Sequence, residues 1–198
     1  MLGNAALVYS ELGRIDEAIV LDERSIETDP LHPVIHSNVA SLYVFQGRLE
    51  EAERHCRESL ALMPDLFVVY NHLGAIHLLR AKVEDARFAW AKANEMGGLG
   101  DLDRLASEAQ LEHTAGNTEA SRRAAEELEN RFGADAPTTC AKVRAWRGDT
   151  DAAFAWLDRA LAARDPTLAS IKADYLLRPL HTDPRWNELL KKIGLPTG

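Results

Sequence analysis

The chain has 198 residues and a formal net charge of −8, and 46% of its residues are hydrophobic. That length and apolar fraction suffice for a substantial buried core, and no stretch approaches the roughly 20 apolar residues of a membrane span. Residues 1–100 carry 9 Lys and Arg against 15 Asp and Glu, −6 of the total. Such acidity opposes direct binding of a nucleic-acid backbone and better suits a basic or amphipathic partner, or simply keeps the chain soluble.

Helical pattern begins almost at Met1, with Asn4, Leu7 and Tyr9 in register and no capping residue before Leu2. A stack that opens in mid-helix would leave its first apolar face bare. The expectation is a fragment of a longer protein, or an open end that meets a neighbouring copy as a self-assembly element. Residues 1–30 show neither a basic start nor a continuous apolar run, so no signal peptide is expected. Two distant cysteines, Cys56 and Cys140, fit a reducing compartment. Together these point to the cytoplasm.

The same residues then return 34 positions later. Asn4 recurs as Asn38, Tyr9 as Tyr43, Gly13-Arg14 as Gly47-Arg48, Ala18 as Ala52 and Ala86, and Pro30 as Pro64. A fixed period of this length marks stacked supersecondary units, each too small to bury its own apolar face. Within one unit, Val39, Leu42, Tyr43 and Gln46 follow helical spacing until Gly47, which permits positive φ. A second helix is expected from about Glu50 through Ala52, Cys56, Ser59 and Leu60, with Met63 extended before Pro64. Small Ala52 would let the two backbones approach closely. Each unit is an αα-hairpin.

These residues resemble the tetratricopeptide repeat family. Ala5-Ala6, Tyr9, Gly13, Ala18 and Pro30 make one copy, and Val39-Ala40, Tyr43, Gly47, Ala52 and Pro64 a second. A third has Leu73-Gly74 and Ala86, with His77 for the aromatic, Ala81 for the turn glycine, and Gly97-Gly98 where the proline would stand. Further on, Gly116-Asn117-Thr118-Glu119-Ala120 returns as Gly148-Asp149-Thr150-Asp151-Ala152, now 32 residues apart, each Thr an expected N-cap. Ala120, Ala124 and Leu128 line one face of the first following helix. Ala153, Leu157, Ala160 and Leu161 line the second. The expected organisation is three well-matched repeats in 1–100, two degenerate repeats in 101–166, and connecting and capping helices in 167–198. The Gly97-Gly98-Leu99-Gly100 stretch reads as a bend between the halves. The four tryptophans, Trp90, Trp146, Trp156 and Trp186, are expected to pack between helices.

Asp165-Pro166 and Asp183-Pro184 each set an N-cap residue before a proline at the first helical position. Trp186, Leu189, Leu190 and Ile193 form an apolar stripe, Lys191 and Lys192 suit the negative end of the dipole, and Gly194 ends the helix. A capping helix is expected at 184–194. The segment from Leu180 to Pro196 also resembles an ending found in larger bacterial signalling proteins. Those join such repeats to a DNA-binding, nucleotide cyclase or protein kinase domain.

The family resemblance implies an all-α, right-handed superhelix (a solenoid) of about five helix-turn-helix repeats. The first helix of each pair would line a concave groove that binds a peptide or partner protein. On that mapping the groove positions are Asn4, Leu7, Ser37, Asn38, Ser41 and Phe45, then Asn71, His72, Ala75 and Leu79. The asparagines can donate to and accept from an extended backbone, and Phe45 and Leu79 can anchor apolar groups. One version of the family grips a terminal carboxylate with cations, but Val68 and His72 stand where cations would be needed.

Catalytic and metal sites find little support. His55 and Cys56 are neighbours on one helix, so their side chains diverge by about 100° and form no dyad. His72 and His77 fall on different faces. Asp101 and Asp103 open a helix, where acids suit the dipole. The expectation is a binding scaffold with no cofactor, no metal and no enzyme activity. The runner-up reading is the regulatory arm of a bacterial signalling protein.

Overall fold

A computed structural model describes residues 6, 8–10, 14–98 and 100–197. Ten α-helices and two 3₁₀ helices are delimited among them, with no strand, after helical residues at 6 and 8–10. Contacts divide the chain into two compact units, 1–99 and 100–198.

The first unit holds helices α1 (Ile15–Thr28), α2 (Pro33–Gln46), α3 (Leu49–Leu62), α4 (Phe67–Leu79) and α5 (Val83–Glu95). Helix α2 packs on α3, and α4 on α5, as antiparallel hairpins. Helices α1, α3 and α5 start 34 residues apart, and the fourth residue of each is Ala18, Ala52 or Ala86. All three alanines are fully buried. Their amides also close the same bond, to the carbonyls of Arg14, Arg48 and Lys82 at 3.1, 3.0 and 3.0 Å. The repeated alanine therefore occupies an equivalent packing slot in α1, α3 and α5.

Turns and stops follow the local chemistry. Gly47 sits at φ 71° between α2 and α3, a conformation open to glycine at little cost. In the third hairpin Ala81 holds that place at φ 54°, where a Cβ is disfavoured. Met63 closes α3 outside the helical region, at φ −141° and ψ 89°, ahead of Pro64. Where the third hairpin lacks its proline, Gly97 turns at φ 72° and Gly98 receives the Phe67 ring. A Cβ on Gly98 would lie 2.0 Å from that ring.

The second unit holds α6 (Asp101–Thr114), α7 (Thr118–Phe132), α8 (Pro137–Trp146), α9 (Thr150–Ala163), 3₁₀ helices at Pro166–Ser170 and Tyr175–Leu180, and α10 (Pro184–Ile193). Its core has two parts. One gathers Leu105, Ala109, Ala125, Leu128, Cys140 and Val143. The other gathers Leu157, Ile171, Leu177, Leu180, Trp186 and Leu190 around α9 and α10. The residue in the slot of Ala52 is Ser121 in α7 and Ala153 in α9, both fully buried, while Ala120 is only half-buried. Ser121 remains satisfied by donating its hydroxyl to the Ala109 carbonyl at 2.6 Å.

One capping expectation is corrected. Thr118 and Thr150 are the first helical residues, preceded by Asn117 and Asp149 as N-caps without a side-chain capping bond. Those two side chains are drawn elsewhere: Asn117 donates to Glu112 at 2.7 Å, and Asp149 pairs with Arg144 and Arg147 at 3.0 and 3.1 Å. The Asp-Pro pairs behave as expected. Asp165 and Asp183 each accept an amide two residues on, from Thr167 and Arg185, at 2.9 Å. The helix after Asp165 is 3₁₀ rather than α. Helix α10 buries Trp186, Leu189 and Leu190 and ends at Gly194 with φ 85°.

Candidate functional site

The candidate surface of the first unit is built by α2 and α4, which lie against one another as first helices of successive hairpins. Asn38, Ser41 and Phe45 follow one stripe of α2 at intervals of three and four, so they share a face. Asn38 is exposed, and Ser41 and Phe45 are half-buried. On α4, His72, Ala75 and Leu79 form the matching stripe, all half-buried. Burial pushes the His72 imidazole down to about 4, so it is neutral at pH 7 and adds no cation.

Two expected groove residues are committed to packing. Ser37 is 1% exposed, so its hydroxyl does not reach an incoming chain. Asn71 accepts the Trp90 indole N–H at 2.9 Å. Asn4 and Leu7 lie outside the described residues.

Cys56 is fully buried, and burial raises its thiol to about 12. Cys140 is raised to about 12 by the same cause. Neither is a thiolate at neutral pH, so neither suits a nucleophile. The tryptophans pack as expected, with indole N–H groups of Trp146 and Trp156 bonded to Thr114 and Glu129 at 3.1 and 2.9 Å.

A cluster that sequence reasoning missed lies in the second hairpin. His36 of α2 and His55 of α3 turn Nδ1 toward each other at 3.2 Å, with Glu58 of α3 beside both. The signal was present in the register. At the equivalent positions the first copy reads Leu2, Leu21 and Arg24, and the third reads Tyr70, Ala89 and Lys92.

Residues 37–63, which span most of α2 and all of α3, match the sequence model described as Tetratricopeptide repeat. The chain carries a tetratricopeptide repeat. A comparison with curated proteins found no match. The matched tetratricopeptide repeat is the hairpin with Tyr43, Gly47, Ala52 and the buried Cys56, and its neighbours in the first unit share its register. Repeats of this family generally mediate protein–protein interactions. No helix among the described residues is long and apolar enough to cross a membrane.

Proposed function

We propose that the first unit is a protein-interaction scaffold whose α2–α4 face takes an extended peptide of basic or apolar character. The observation that carries this reading is the pair of adjacent first helices presenting Asn38, Ser41 and Phe45 beside His72, Ala75 and Leu79. Asn38 supplies an amide for a peptide backbone, while Phe45 and Leu79 supply apolar contacts. Neutral His72 and apolar Val68 make capture of a free carboxylate a poor use of this face. The acidic excess of residues 1–100 favours basic over acidic peptides in encounter.

The test is selection of peptides from a random display library, followed by fluorescence polarisation with Asn38→Ala and Phe45→Ala. Enrichment of basic or apolar peptides, with affinity about 10-fold weaker in Phe45→Ala (a loss of about 1.4 kcal/mol), supports the reading. Selected peptides that bind both variants like the parent chain would remove it.

The C-terminal segment supports a second reading, that the repeats form the regulatory arm of a larger bacterial signalling protein. An open reading frame continuing upstream into a catalytic or DNA-binding domain supports that reading, and a stop codon directly upstream opposes it.

A further inference from the structure

Three side-chain atoms of the second hairpin form a nearly equilateral triangle. His36 Nδ1 lies 3.2 Å from His55 Nδ1. Glu58 Oε2 lies 3.1 Å from the first and 3.3 Å from the second. A tetrahedral zinc ion with ligands at about 2.0–2.1 Å has ligand–ligand edges of about 3.3 Å. The three atoms therefore already stand at the corners of one tetrahedral face.

We propose that His36, His55 and Glu58 bind a divalent first-row transition ion, zinc by best fit, which clamps α2 to α3.

The surroundings support each ligand. His36 Nε2 lies 3.0 Å from the Pro30 carbonyl, which can only accept. In the neutral ring the proton therefore sits on Nε2, and Nδ1 carries the lone pair that a metal would take. A ligating histidine whose other N–H is held by a backbone carbonyl is the usual arrangement around a metal. Tyr43 stacks on His55 with ring centroids 5.7 Å apart, which fixes the second ring. His36 and His55 are 5% and 6% exposed, so their orientations are set by packing. Glu58 is 44% exposed on its side chain and leaves an entry path for the ion. The fourth position would face that path and hold water.

The Arg54 guanidinium approaches His55 Nε2 at 3.3 Å and can only donate, so a neutral His55 ring carries its proton on Nδ1. With both rings neutral, that one proton serves three atoms; a protonated His36 instead pairs with Glu58. A metal replaces either arrangement with three bonds. On binding, the His55 proton moves to Nε2 and exposed Arg54 swings away. The first and third copies place no His or carboxylate at these positions, carrying Leu2, Leu21 and Arg24 or Tyr70, Ala89 and Lys92. Hairpin packing alone therefore does not require the cluster.

The decisive experiment titrates cobalt(II), as a visible probe, into the tag-free full chain stripped of metal at pH 7.5. Expected are visible bands of tetrahedral nitrogen and oxygen coordination that saturate at one equivalent and vanish when zinc is added. Glu58→Gln, at an exposed position that keeps the fold by circular dichroism, should weaken binding about 10-fold or more, and His55→Gln should abolish the bands. Zinc should raise the melting temperature of the parent chain more than that of Glu58→Gln at the same zinc concentration. Absence of saturating bands, bands of equal strength in Glu58→Gln, or a cobalt–thiolate band from Cys56 would each overturn the assignment. No peptide enters the measurement, so its outcome is separate from that of the scaffold reading.

Discussion

The two units solve the same packing problem with different materials. In each hairpin one first-helix position and one second-helix position, 16 residues apart, are buried together: Ala6 with Asp22, Ala40 with Cys56, Gly74 with Trp90, Ala109 with Ala125, and Ala141 with Leu157. The second unit fills both members with apolar residues, and polar clasps join helices in both units, as Arg80 does with Glu53 at 2.5 Å in the first. Arg144 meets Glu129 at 2.6 Å and Asp149 at 3.0 Å, and Glu129 also accepts from Trp156 at 2.9 Å. The first unit varies the pair itself. A glycine admits a tryptophan in the third hairpin, and a carboxylate occupies the slot in the first. The shared backbone register thus tolerates a wide range of side-chain volume and polarity, and the first unit keeps residues that are poor for stability.

The largest expected effect breaks the Gly74–Trp90 pair. A Cβ on Gly74 would lie 2.3 Å from Trp90 Nε1, so Gly74→Ala should cost about 1–3 kcal/mol by overpacking. Trp90→Ala should cost about 3–5 kcal/mol. In the Trp90→Ala background, however, Gly74→Ala should gain up to about 1 kcal/mol, because alanine is the better helix former. Urea unfolding of the four chains gives the cycle. A Gly74→Ala cost that is the same in both backgrounds would mean the two residues are not paired.

Next is Asp22, 2% exposed, whose Oδ1 has no hydrogen-bond partner among the described residues. Burial raises its pKa from 3.8 to about 6. Below pH 4 the group is protonated in both folded and unfolded chains, and its ionisation exacts nothing. Between pH 4 and 6 the unfolded chain releases the proton first, so stability falls as pH rises, and the full loss is reached above 6. Two pH units correspond to about 3 kcal/mol at most. Asp22→Asn should therefore be more stable relative to the parent at pH 7.5 than at pH 4, as measured by denaturation at both. A constant difference would show that Asp22 is not held in a desolvated slot.

The smallest effect concerns the turns. Gly116 and Gly148 of the second unit and Gly47 of the first adopt positive φ, 80°, 77° and 71°, whereas Ala81 does so at 54°. Ala81→Gly should relieve the Cβ clash and stabilise by about 0.5–1 kcal/mol after the added freedom of the unfolded chain. Thermal unfolding reads the sign. A loss would mean the alanine side chain contributes more by packing than its backbone strain removes.

Much of the hairpin architecture was legible because each unit repeats the same local constraints. Gly47, Ala52 and Pro64 act within a few residues of themselves, and their effects do not depend on distant parts of the chain. The candidate surface was partly legible for the same reason: Asn38, Ser41 and Phe45 share a face by helical spacing alone. Ser37 and Asn71 were harder. Whether a polar side chain meets solvent or a neighbouring helix is decided by what packs over it, and Trp90 claims the Asn71 carbonyl from 19 residues away.

The 34-residue period by itself determined the helix order, the turns and the buried alanine slots, because those rest on backbone preferences that recur with the sequence. Only the tertiary structure decided which side chains converge. His36 and His55 belong to different helices, and it is the antiparallel crossing of α2 and α3 that brings their ring nitrogens to 3.2 Å. Burial within the first unit likewise leaves Asp22 Oδ1 without a hydrogen-bond partner among the described residues. Helical periodicity tells which face a residue shares. It does not tell what the opposite helix places against that face.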